Sequence, residues 1–357
     1  MKIYIKYIIN NFIKFLLLVS FIFFILVLLL NFFEEINFFK DTNEGLYYAL
    51  LLNILNAPTI LINIFPFIFL ISAQFLLINL IEKNELILLK NFGIDNFRLI
   101  AIISLVAFVS SLLIIIFFYN FSAKLKHLYL EIKNDFASDN KYLAVITENG
   151  IWIKDEVDAN TIIINAELIE GNNLRNVVIT QFNNNFEPKK YIYGKIVDIK
   201  KNNWIIKRAI IIEKNIRTIE DNFLFETNFN SEKINTLFSN LTSLTIWELF
   251  KLKDDYNSVG YSVKEIELYL HQIYSFPIYL TILTIFASVL MLNVPFNKPK
   301  FFYLFMGIFA SVLIFYINHF SSLLGENNKL PIILSVWLPH VIVSILTGIG
   351  MVRINEK

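Results

Sequence analysis

Cysteine does not occur in this chain of 357 residues, which excludes disulfides, thiolate metal sites and cysteine nucleophiles. The ten glycines never fall into G-x-x-x-x-G-K-(S/T), and no G-x-G-x-x-G follows a strand, so the sequence offers no nucleotide-binding loop. Neither a Ser-His-Asp arrangement nor H-E-x-x-H is present, and His127, His271, His319 and His340 lack metal-ligand spacing. A net charge of +1 without a dense basic block gives no case for nucleic-acid binding. With no catalytic constellation, an enzyme is disfavoured, and any active transport must draw its energy from a partner or an ion gradient. Ion-driven carriers keep ionisable residues inside their spans. Here the apolar runs 58–81 and 98–120 contain none past the boundary residue Arg98, while His340 beside Pro339 is read as a packed histidine and His319 as an interfacial one.

Apolar residues, in contrast, are abundant. They make up 56% of the chain, with 36 Phe and a mean hydropathy of +0.58, more apolar surface than a soluble core of this length can hide. Six runs are long enough to cross a bilayer: 13–33, 58–81, 98–120, 273–293, 301–320 and 332–352. The first follows Lys2, Lys6 and Lys14 as a signal peptide would, yet residues 15–33 exceed a signal core and no cleavage pattern follows, so it is read as a retained span. Residues 46–57 are interrupted by Asn53, Asn56 and Pro58, and predict a separate interfacial helix leading into the second span. Lys and Arg beside the spans number ten on the side of the termini, the 81–98 loop and the 294–300 loop, against only Lys40 and Lys329 opposite. That asymmetry places both termini and the 81–98 loop in the cytoplasm and the long central insertion outside.

The insertion alternates apolar and polar residues between turn signals. Strands are expected at Tyr142–Thr147, Ile151–Lys154, Thr161–Ile164, Val177–Phe182, Tyr191–Lys200 and Trp204–Glu213, with a hairpin turn at Lys201–Asn203. Many strands without intervening helices fit a sandwich, jelly roll or open barrel. Thr245 and Glu248 then form a capping box for a helix that Gly260 ends, and a second helix runs from Val263 through Pro277. The domain reading is therefore residues 1–122 with three spans and a short helix at about 82–93, a β domain at 123–242, a helical return at 243–270, and three spans at 271–357. Within 81–98, Leu86–Leu89 follow the polar Glu82–Glu85. Gly93 is placed to close a helix in the left-handed conformation, and Asp95 to cap the next.

Laid together, these pieces resemble the LptF/LptG lipopolysaccharide-export permeases almost end to end. Asn84, Glu85, Leu86 and Gly93 are similar to that family's (S/T)-E-L…G element between the second and third spans. Glu148–Asp155 resembles its G-x-W-x-(K/R)-(D/E) pattern, and Leu330, Pro331 and Trp337–His340 resemble a proline loop followed by A-W-L-P-N; these last two lie nearer LptG than LptF. The resemblance implies a six-helix membrane protein with an inserted periplasmic all-β, jelly-roll-like domain, in the inner membrane of a Gram-negative bacterium. It implies an LptF-like permease partner, an LptB-like ATPase dimer and an LptC-like protein. Lipopolysaccharide is the cargo, and the chain has no cofactor of its own because ATP is hydrolysed by the ATPase. In this picture 82–93 is the coupling helix, with Glu85 entering a groove on the ATPase beside Asn84, Leu86 and Gly93. LptG-like chains carry basic residues at the outer end of the first span for lipid phosphates. This sequence has Asn31, Glu34 and Glu35 there, leaving Lys40 as the nearby cation, with Phe32 and Phe33, and beyond them Phe38 and Phe39, at the lipid entrance. The competing readings are the LptF-like sister subunit and a non-transporting membrane protein that relays an ATPase's motion to a periplasmic partner.

Overall fold

The computed structural model describes residues 3–40, 45–136, 151–157, 160–183, 186–214, 216–231, 233–234, 240–258, 261–293 and 299–355. The expected strand Tyr142–Thr147, the stretch Glu148–Gly150, and Gly260 lie outside the described residues. The chain divides into two compact units: residues up to Lys126 together with those from Lys264 onward, and the intervening His127–Val263.

The first unit is helical. Its elements are α1 (Ile3–Phe38), α2 (Gly45–Glu82), α3 (Glu85–Asn91) and α4 (Asn96–Leu113). A π-helical segment (Ile114–Tyr119) leads on to α5 (Asn120–Phe136). Three helices follow the insertion: α7 (Lys264–Leu292), α8 (Lys300–Glu326) and α9 (Ile332–Asn355). Six helical stretches are long and apolar enough to cross a membrane, the third being the whole run Asn96–Phe136. They do not share burial equally. Of their most apolar stretches, 67% is buried in α2 and 61% in α7, against 17% in α1 and in α8. The core is built accordingly, with Phe65, Phe69 and Leu76 of α2 meeting Ile8 and Phe12 of α1 and Leu280 and Leu283 of α7. The outward faces of α1 and α8 stay apolar, as helices in lipid or against another membrane chain require.

Residues 46–57 form no separate interfacial helix, because α2 is continuous over 38 residues with Pro58 and Pro66 inside it. Each proline removes one backbone hydrogen bond, but the asparagines that looked like breakers have partners. Asn53 Nδ2 donates to the Leu28 carbonyl at 2.9 Å and its Oδ1 accepts from Asn31 Nδ2 at 2.9 Å. Asn56 Nδ2 donates to Asn31 Oδ1 at 3.1 Å. These bonds satisfy the amides inside the bundle and tie α2 to α1.

The second unit carries an antiparallel sheet of nine strands among the described residues: β1 (Ile151–Val157), β2 (Asn160–Ala166), β3 (Leu168–Glu170), β4 (Asn173–Phe182), β5 (Pro188–Asp198), β6 (Asn203–Lys207), β7 (Ala209–Glu213), β8 (Ile216–Glu220) and β9 (Phe223–Glu226). The path runs β1-β2-β4-β5-β6-β9, with β3 on β4 and β7 bridging β5 and β8. The single strand expected over Trp204–Glu213 is two strands, because Arg208 adopts a left-handed φ of 52°. β6 thereby pairs with one half of β5 and β7 with the other. Ile153, Ile164, Ile179, Ile192 and Trp204 are buried, and the Trp204 indole donates to the Phe229 carbonyl at 2.8 Å. Asp155, the last residue of the Glu148–Asp155 motif, clamps the far end of the sheet. Its carboxylate accepts from Thr227 Oγ1 at 2.5 Å, the Asn228 N–H at 3.0 Å and Asn228 Nδ2 at 2.8 Å. After a short turn at Leu241–Ser243 comes α6 (Ile246–Ser258), where Glu248 Oε2 accepts from the Thr245 N–H at 2.7 Å and its Oγ1 at 2.8 Å, completing the box.

Candidate functional site

The residues singled out by sequence fall at the two ends of the membrane unit. At one end α2 stops at Glu82, and Asn84 takes the left-handed conformation (φ 57°, ψ 14°), which asparagine tolerates better than most non-glycine residues. Its carbonyl accepts from the Leu88 N–H at 3.3 Å and so starts α3. Glu85 in the first turn and Lys90 in the last each complement the helix dipole. Gly93 closes α3 with φ 77°. The Gly93 N–H donates to the Lys90 carbonyl at 2.9 Å and the Ile94 N–H to the Leu89 carbonyl at 3.0 Å, the paired bonds of a Schellman stop. Asp95 then caps α4, accepting from the Arg98 N–H at 2.9 Å, while Arg98 Nη1 donates to the Gly93 carbonyl at 3.2 Å. Asn84, Glu85, Leu86 and Gly93 are thus brought together on one stop-and-restart unit.

That unit has two faces. Leu86 and Leu89 pack against the membrane core, and Ile94 is buried. Ile87, Leu88 and Phe92 point outward, 43%, 54% and 83% exposed, with Phe97 at 55%. These side chains leave apolar surface uncovered on an otherwise polar connecting element. Beside it, Tyr7 Oη of α1 donates to Glu85 Oε2 at 2.7 Å, and Lys300 of α8 pairs with Glu82 at 3.7 Å. The sequence reading missed Tyr7 and Lys300. They lie far from Glu85 along the chain, and a hydroxyl among the apolar residues of α1 gives no local signal.

The other end of α1 holds Phe32, Phe33 and Lys40, which do not join the α3 unit. Spanning 36 residues, α1 is about 54 Å long at the usual helical rise. Phe33 is 66% exposed, Phe32 is half-buried and Lys40 is exposed. Asn31 and Glu35 are buried instead of facing outward. Sequence proximity also missed a second cation here: Lys126 of α5 donates to Asn56 Oδ1 at 2.8 Å, placing an ammonium next to the Asn31–Asn53–Asn56 network. Among the described residues no group of three or more His, Asp or Glu side chains is placed to hold a metal ion.

A family model described as lipopolysaccharide export system permease LptF/LptG matches residues 6–353. No curated protein matches the chain.

Proposed function

The chain belongs to the LptF/LptG family of lipopolysaccharide export permeases, and from that membership we propose that it is the LptG-like subunit of an ATP-driven lipopolysaccharide exporter in the inner membrane. Membership makes it a transporter component and not an enzyme. The LptG assignment draws support from Leu330–Pro331 and Trp337–His340, where Pro331 precedes α9 and Pro339 lies inside it.

An LptB-like ATPase dimer supplies the energy through α3. The observation that carries this reading is the exposed Ile87, Leu88 and Phe92 beside a carboxylate held by Tyr7. Apolar side chains give docking area, and Glu85 gives a charged hydrogen bond that fixes register. Tyr7 orients that carboxylate before the ATPase arrives. The excess of Lys and Arg at this end, ten against two, supports a cytoplasmic placement of the α3 end and of both termini, and hence a periplasmic jelly-roll-like β domain. An LptF-like permease covers part of the apolar surface that α1 and α8 leave exposed, and an LptC-like protein completes the assembly.

A lipid with several acyl chains gains about 0.8 kcal/mol for each methylene sheltered from water. It therefore rests comfortably in an apolar cavity between two permeases, and driving it onward requires work from outside the chain. Phe32 and Phe33 line its entrance, and Lys40 pairs with its phosphates. The coupling role is tested by Glu85→Lys. Membrane insertion is expected to be unchanged while ATPase co-purification falls at least about tenfold, since a buried charged hydrogen bond contributes about 1.5–3 kcal/mol. Undiminished co-purification and ATPase activity would contradict the assignment of Glu85.

A further inference from the structure

Trp247 is the most exposed of the four tryptophans, at 80%, against 55% for Trp152, a half-buried Trp337 and a fully buried Trp204. A ring of this size is ordinarily hidden. It stands in the first turn of α6, whose other face supplies the fully buried Leu249 and Leu252. The exposed positions Trp247, Phe250, Lys251 and Asp254 recur at helical spacing and make one stripe. Phe250 is 39% exposed and its ring centre lies 6.4 Å from that of Trp247, so the two rings form a single aromatic ledge at the start of the stripe.

The chain ties this ledge to a membrane helix. The Tyr261 N–H donates to the Tyr256 carbonyl at 2.9 Å and the two rings meet edge-on at 5.6 Å, so Tyr261 stays with the end of α6. Lys264, the first residue of α7, comes three residues later, at most about 11 Å of chain. No Asp, Glu, Lys or Arg occurs from Leu268 to Leu292. A span of about 20 residues ending at Leu292 begins near Ile273 and leaves Lys264 about 13 Å outside the hydrocarbon layer, at the edge of the headgroups. Chain length alone therefore keeps α6 within reach of the bilayer surface. Tryptophan suits that level, because its ring is apolar while its N–H needs a wet partner. The one Lys and one Asp of the stripe balance, so the aromatic pair and not net charge makes the attraction.

We propose that α6 lies on the bilayer surface where α7 enters and sinks Trp247 and Phe250 among the lipid headgroups. This anchoring rests on the membrane spans of the chain and not on the exporter reading above.

The test exploits a sequence without cysteine. In the full chain, Asp254→Cys carries a nitrobenzoxadiazole fluorophore one turn beyond Phe250 on the exposed stripe, which leaves both rings in place. The labelled protein is put into nanodiscs of phosphatidylcholine and phosphatidylethanolamine, with or without a nitroxide on the phosphatidylcholine headgroup, and iodide reports access from water. The nitroxide lipid is expected to cut emission at least about twofold, because an interfacial helix sits about 5–10 Å into the headgroup boundary. Trp247→Ser combined with Phe250→Ser should remove at least about half of that quenching, whereas Trp247→Tyr keeps it, since tyrosine shares the interfacial preference. Emission that iodide quenches and the nitroxide does not would overturn the proposal and leave the stripe in water. Emission shielded from both quenchers would also overturn it, in favour of a protein partner on the ledge. Nitroxide quenching that survives the loss of both rings would show that the tether alone holds α6 there, and would contradict the anchoring role of the rings.

Discussion

Gly307 shows how tightly a single residue sets the membrane packing. It sits where α8 crosses α2, and a Cβ there would collide with the amide of Gln74, which is fully buried and donates from Nε2 to the Tyr303 carbonyl at 3.2 Å. Gly307→Ala must therefore push the glutamine away and break that bond. A loss of about 1–3 kcal/mol is expected, read as a lower unfolding temperature of the purified protein. Because the penalty comes from one neighbour, Gln74→Ala should relieve most of it, the non-additivity of residues in contact. Equal penalties in both backgrounds would show that Gln74 is not what meets the new methyl. Gly93 is different: a Cβ there meets open space, and its glycine is required by φ 77° alone.

At the scale of elements, α3 and the residue after it present a packed face and an exposed apolar face, and the proposed docking uses the exposed one. Leu86 and Leu89 pack against the bundle core, whereas Ile87, Leu88 and Phe92 are exposed. Leu88→Asn with Phe92→Ser is expected to change stability by no more than about 0.5 kcal/mol per site, as for exposed positions. The same pair should weaken ATPase co-purification at least about tenfold, because exposed apolar anchors carry much of an interface's energy. Leu86→Asn should lower stability as well, since it buries an unpaired amide. Thermal unfolding and co-purification of the two variants side by side make the check; a Leu88/Phe92 variant that binds normally would remove the patch from the interface.

This element was also the most legible in the sequence, and the reason is physical. Gly93, Asp95 and the Thr245–Glu248 box act within one turn, so their residues announce the geometry. What sequence could not supply was the distant partner. Asn53 and Asn56 looked like breaks in α2 because Asn31, their partner, lies on another helix. Trp204–Glu213 looked like one strand because nothing local marks Arg208 as left-handed; the split serves two different neighbours of β5. Tyr7 beside Glu85 and Lys126 beside Asn56 are tertiary facts of the same kind.

For the whole molecule, the family match over residues 6–353, with six apolar helices and an antiparallel sheet inserted in sequence between the third and the fourth, makes a lipopolysaccharide export permease. On the proposed reading, the α3 end is the surface for an ATPase and the far end of α1 the entrance for a lipid. On the same reading the lipid passes this chain during ATP turnover. It is tested most directly by in-membrane photocrosslinking from Phe33, 66% exposed at that entrance, in the assembled complex with its ATPase. Lipopolysaccharide adducts are expected, with a yield that changes when ATP is supplied and falls in Glu85→Lys. Repeated absence of such adducts in a complex that hydrolyses ATP would contradict it and favour a membrane protein that transmits motion without carrying lipid.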